Sequence, residues 1–169
     1  MTWSDPGDEA GTWVLLSYRI PREPSTPRIA IWRKLKRLGV AQISDGLIAL
    51  PADARTREHL EWIADEIIEA GGVASIWVAH PGTLATERAL AAAMAEARAA
   101  EYAAVTAEAA AAATLEVTAR ASLGRRLRAE LRRIQRRDYF PPAERAQAMA
   151  AVEALTGGAV VVEPMETRS

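Results

Sequence analysis

Six short segments fill residues 12–81, set apart by proline, glycine and helix-capping residues, and their order constrains the fold more than any other feature. Residues 12–18 (TWVLLSY) are rich in strand formers and are followed by Pro21 and Pro24, which marks a buried strand. Ser25-Thr26-Pro27 reads as a helix start, with Thr26 as the cap and Pro27 in the first helical position. Ile29, Trp32 and Leu35 then recur every three residues, with Ile31 and Leu38 beside them, and Gly39 ends the helix. Residues 40–50 (VAQISDGLIAL) divide into two strands at Asp45-Gly46, a strong hairpin signal between apolar runs. Asp53 is placed to cap a helix over 54–70, in which Leu60, Ile63, Ala64, Ile67 and Ile68 form an amphipathic stripe. Gly71-Gly72 closes it, and residues 73–79 (VASIWVA) form a fourth strand ended by Pro81-Gly82.

Strand, helix, strand, strand, helix, strand is the split βαβ, or ferredoxin-like, pattern: an α+β fold with one four-stranded antiparallel sheet and two helices on one face. Beyond Pro81 the chain changes character. Seventeen of the 29 residues from 85 to 113 are alanine, the best helix former but one that buries little apolar area. A helix capped by Thr83 is expected there, broken near Ala113-Thr114 because one helix reaching Asp138 would be unusually long. Leu123, Leu127, Leu131 and Ile134 stripe the next helix, which Phe140-Pro141-Pro142 ends. A last helix over 143–155 is expected, followed by Gly157-Gly158 and an extended stretch over 159–163. The expected organisation is a lead (1–11), a ferredoxin-like part (12–81), a helical part (82–156) and a tail (157–169).

The net charge of −1 hides strong segregation. Residues 19–37 carry seven bases against Glu23, and residues 120–137 carry eight arginines against Glu130. Residues 53–69 are acidic, with six carboxylates against two arginines. Two strongly positive segments make a polyanion site if they share a face. A polyanion, the protein's own acidic helix, a partner subunit or plain solvation would each relieve the arginine-rich helix. Arg19 and Arg22, just past a strand end, are candidates to cradle an oxyanion, the alternative being ordinary loop cations.

Other chemistry is thin. With no cysteine there are no disulfides, thiol nucleophiles or thiolate metal sites. His59 and His80 are isolated, and Asp65, Glu66 and Glu69 read as a solvated helix face, so neither a metal centre nor a cofactor is expected. No phosphate loop, Rossmann fingerprint or nucleophile elbow is present, and no enzymatic activity is expected. Trp13, Trp32 and Trp77 are expected in the core, Trp62 off its helix's apolar stripe, and Trp3 in the loose lead. The N-terminus lacks a secretory signal and no apolar run spans a membrane, so a cytoplasmic location is expected.

Arg28-x-x-x-Trp32-Arg33-x-Leu35-Lys36-x-Leu38-Gly39, then Asp45-Gly46 and Leu50-Pro51, resembles the N-terminal domain of the chromate-resistance regulator family, ChrB. Tyr18-Arg19-Ile20-Pro21, Ala70-Gly71-Gly72 and Arg137-Asp138-Tyr139-Phe140 extend the resemblance to most of residues 12–155. It implies a transcriptional regulator or its DNA-binding module. Arg28, Arg33, Lys34, Lys36 and Arg37 would contact phosphates, together with Arg125, Arg126, Arg128, Arg132, Arg133, Arg136 and Arg137. A homodimer is expected, as for many operator-binding proteins. Family members are longer and carry a second domain associated with chromate sensing, which a separate chain would supply here. The alternatives are an accessory protein binding chromate at Arg19 and Arg22, or a module docking an acidic partner. The strand and helix order also resembles ferredoxin-like CRISPR-associated endonucleases and PaaX-type repressors. The nucleases place a metal-binding Asp where Arg19 stands, so that resemblance implies the fold and not the chemistry.

Overall fold

A computed structural model describes residues 11–157. Among the described residues two compact units emerge: one of residues 11–96 with Arg137–Phe140, the other of Ala97–Arg136 with residues 141–157. Trp3 and the extended stretch expected over 159–163 lie outside the described residues.

The first unit runs β1 (Trp13–Arg19), α1 (Ser25–Leu38), β2 (Ala41–Ser44), β3 (Leu47–Pro51), α2 (Ala54–Glu69) and β4 (Val73–Ala79), followed by the start of α3 (Leu84–Ala111). The sheet order is β2-β3-β1-β4 with every pair antiparallel, the expected ferredoxin-like α+β topology. Central β1 sets the register. Val14 lies opposite Leu50 and Val78, and Leu16 opposite Ile48 and Ile76. Because side chains alternate along a strand, these residues share one face. Val14, Leu16, Ile48 and Leu50 form a continuous buried cluster with Ile31 and Leu35 of α1 and Leu60, Ile63, Ala64 and Ile67 of α2. Each valine, leucine or isoleucine among them contributes roughly 1.5–3 kcal/mol when fully buried. Trp13, on the other pleat, is 2% exposed; it stacks on Phe140 with centroids 6.0 Å apart, and its indole N–H donates to Glu87. Met94 is buried in the same cluster, with Leu90 and Tyr139 packed against it.

Local chemistry explains the element boundaries. Asp53 caps α2 through a capping box, accepting from the Thr56 N–H at 2.7 Å while the Thr56 hydroxyl accepts from the Asp53 N–H at 2.9 Å. Thr56 is wholly buried, and its hydroxyl also donates to the Pro51 carbonyl at 2.7 Å. The Thr56 N–H holds the Asp53 carboxyl below its ordinary value of 3.8, against the desolvation that pushes it up. A lowered carboxyl pKa stabilises the fold fully above the unfolded value and loses that contribution as pH falls through the folded one. Asp53→Ala is therefore expected to cost about 1 kcal/mol near neutral pH. Urea unfolding of both proteins at about pH 7 and about pH 2 checks this, because the difference should shrink in acid as the carboxylate's charge is lost.

Some expectations are corrected. Helix α1 starts at Ser25 behind Pro24, and no side chain caps it, so Thr26 is not the cap. Trp32 is 51% exposed and Trp77 60% exposed; neither is in the core. The buried stripe of α1 is Ile31 and Leu35, an i, i+4 pair, which leaves Trp32 and Ile29 on the outer flank. Trp77 stands on β4, a sheet edge paired only with β1, where half the strand's surroundings are solvent. Ile68, one residue past the α2 stripe, is likewise exposed.

The second unit is helical. Helix α3 ends at Ala111, a 3-10 turn covers Ala112–Thr114, and α4 (Val117–Gln135) and α5 (Glu144–Gly157) follow, so the chain breaks where the sequence places the break. The core joins Tyr102, Val105 and Ala109 of α3, Leu127, Leu131 and Ile134 of α4, and Ala148 and Val152 of α5. Among the described residues no helix is long and apolar enough to cross a membrane.

Candidate nucleic-acid interface

The cations of α1 divide into two groups by their neighbours. Arg28 and Arg33 line an open cleft of about 730 Å³, joined by Arg19 from the end of β1. Ile29 and Trp32 of α1 supply its apolar wall, and Gln42, Asp45 and Gly46 of the β2–β3 hairpin complete it. The hairpin is held to β1 by the Tyr18 N–H donating to the Gly46 carbonyl at 2.7 Å. Gly46 has φ of 73°, and a Cβ there would meet the Tyr18 carbonyl oxygen at 2.4 Å, so only glycine fits this approach. Burial, and secondarily the Asp45 carboxylate, raise the Tyr18 phenol above its ordinary value, so it remains a neutral hydroxyl.

The other α1 cations turn elsewhere. Lys34 pairs with Glu66 of α2, and Arg37 lines a small groove with Trp62 and His59. Trp62 is exposed, its ring tilted against His59 at 5.9 Å. Lys36 lies over the Trp32 ring, 4.3 Å from its centroid, a cation–π contact. Arg22 is exposed in the loop before α1 and does not line the cleft. The oxyanion candidates Arg19 and Arg22 are thus not gathered at one wall; Arg19 groups with Arg28 and Arg33 instead.

In the second unit, α4 buries Leu127, Leu131 and Ile134 and exposes Arg125, Arg126, Arg128, Arg132 and Arg133. Arg136 is exposed at its C-cap. Arg126 pairs with Glu108 of α3, and Arg133 with Glu130 at 2.8 Å within α4. Among the described residues Arg125, Arg132 and Arg136 have no ion pair. Arg137 is half-buried and belongs to the first unit with Asp138, Tyr139 and Phe140. Among the described residues no group of three or more His, Asp or Glu gathers to hold a metal ion.

Sequence reasoning missed Trp32, Gln42 and Asp45 as cleft residues. The available signal was that Trp32 lies one position off the Ile31–Leu35 pair, but the three-residue spacing from Ile29 pulled it toward the core.

Comparison with known proteins gives a consistent picture. The family described as "Protein ChrB, N-terminal" matches residues 28–159, well over half of the chain. A curated relative, Protein ChrB of Cupriavidus metallidurans, is 30% identical over 73 residues. That alignment covers 43% of this chain and 22% of the relative, so the chain spans about a fifth of that protein's length. No solved structure matches.

Proposed function

The chain belongs to the ChrB N-terminal family, and on that premise we propose that it is the DNA-binding module of a chromate-resistance-type transcriptional regulator, acting without catalysis. The observation that carries this reading is the arginine face of α4. Opposite a buried leucine stripe, Arg125, Arg132 and Arg136 stand exposed without counter-ions among the described residues. Such a face repels itself and is stabilised by a polyanion. Duplex DNA supplies closely spaced phosphates, and each neutralised phosphate gains from counterion release. The contrast with α1 supports the assignment, because there Lys34 is already satisfied by Glu66 of the acidic helix. Arg28, Arg33, Lys36 and Arg37 serve as further phosphate contacts in this reading. They position the protein on the duplex without reading sequence. In this reading the regulator acts as a homodimer through the β4 edge.

The test is binding of the purified protein to its own upstream DNA against a scrambled duplex, over a salt series, with and without chromate. Specific, salt-sensitive binding is expected. Release by chromate places sensing within these residues, and indifference to chromate leaves DNA binding here without sensing. Equal, weak binding to both duplexes overturns the reading in favour of an accessory or protein-docking role.

A further inference from the structure

The cleft between β1, α1 and the β2–β3 hairpin has features that contact with a duplex backbone does not require. Three arginines from two elements converge on it, Arg19, Arg28 and Arg33, and none has an ion pair among the described residues. Beside them lies the Trp32 indole, half exposed. Lys36 lies over that ring but does not line the cleft, whereas Trp32 does. Trp32 is thus a half-exposed indole at the cleft, with a cation over its ring. Asp45 and Gln42 add an acceptor and an amide at the hairpin. The volume of about 730 Å³ lies within the range of small-molecule pockets, roughly 300–1,000 Å³, and far exceeds a lone tetrahedral anion.

These parts match one ligand chemistry. A guanidinium cluster takes a phosphate, an exposed indole takes the face of a planar heterocycle, and a carboxylate accepts from sugar hydroxyls or an exocyclic amine. A bare oxyanion would leave the indole unused and would face Asp45 as a like charge. We propose that this cleft binds a nucleoside phosphate, with its base stacked on Trp32 and its phosphate held by Arg19, Arg28 and Arg33. The ligand is either a free nucleotide or an unpaired nucleotide of a strand, which share this chemistry. The proposal does not rest on duplex binding by α4.

Isothermal titration of the full chain with ADP, ribose 5-phosphate, inorganic phosphate and a single-stranded dA pentamer tests it. ADP or the pentamer is expected to bind at least about tenfold more tightly than ribose 5-phosphate or phosphate, the size of one base-stacking contribution. Trp32→Ala should abolish that preference and Trp32→Phe should retain it, with the unfolding temperature of each variant recorded to establish that it folds. Arg28→Gln with Arg33→Gln should weaken every phosphate-bearing probe. Tighter binding of ADP than of the pentamer identifies a free nucleotide as the source, and the reverse order identifies an unpaired strand. Equal binding of ADP and ribose 5-phosphate, a preference that survives Trp32→Ala, or no binding of ADP and pentamer alike at millimolar concentration overturns the proposal. Duplex binding in the same preparations is a separate readout, so failure here and failure of the regulator reading are distinguishable.

Discussion

Replacing Arg125, Arg132 and Arg136 together by glutamine is expected to lower the slope of log K against log salt for duplex binding by about 2.7. Each arginine on a phosphate releases close to 0.9 of a counterion, and three are removed. If the counterion contribution vanishes near 1 M salt, the loss of affinity at ~0.1 M is about 500-fold. The substitution suits the test because it leaves the native contacts intact. The three side chains are exposed, have no ion pair among the described residues, and give way to a residue of similar helix propensity. A paired control is Arg126→Gln with Arg133→Gln. Both of those arginines already face carboxylates, Glu108 and Glu130, so part of their charge is offset and the slope should change less. Fluorescence anisotropy of a labelled upstream duplex, over several salt concentrations, gives the slopes. An unchanged slope in the triple variant would remove α4 from the interface and return the arginine face to solvation or a protein partner.

Local rules carried the sheet unit. The Asp45-Gly46 bend, the Gly39 stop and the Asp53 cap are each decided within a few residues, by left-handed backbone or a side chain meeting its own helix end. The strand and helix order then leaves few topologies, and β2-β3-β1-β4 is the one observed. The interface was less legible because it depends on distant pairings. Arg19 and Arg28 are nine positions apart, and they share a cleft with Asp45 only because β1 pairs with β3 and draws Gly46 against Tyr18. The charge segregation was visible, yet nothing local shows that Lys34 is spent on Glu66 while Arg28 and Arg33 are not.

Aromatic residues were the weakest guide, for a physical reason. A tryptophan on an apolar period is expected to be buried, but the period locates a face and not what covers it. Trp13 is covered because Phe140, far along the chain, stacks on it. Trp77, on β4 directly opposite Leu15 of β1, has no strand on its outer side. The Arg137-Asp138-Tyr139-Phe140 element shows the same dependence in reverse. In sequence it looks like the end of the arginine helix, whereas its tyrosine and phenylalanine pack against the sheet unit's core.

The alanine-rich helix sets up the second large effect. Along α3 most positions bury only a methyl group, so the second unit's core depends on the few larger side chains. Tyr102 is the largest of them and is 0% exposed, packed in one cluster with Leu127, Leu131, Ile134 and Val152. Tyr102→Ala is expected to cost roughly 3–5 kcal/mol, the transfer contribution of the ring plus the cavity it leaves. The alanines beside it on α3 have no long side chains to collapse into that space, which favours the upper part of the range. Against a total stability of about 5–15 kcal/mol, this is a large fraction. For a chain of this size it lowers the unfolding midpoint by ~6–20 °C, read from helix ellipticity. Tyr102→Phe separates the causes, because it keeps the ring volume and removes only the hydroxyl. If the ring's packing is what matters, phenylalanine should retain most of the midpoint. A phenylalanine variant as unstable as the alanine one would mean that the hydroxyl's bonding, and not the ring's volume, holds the helical core.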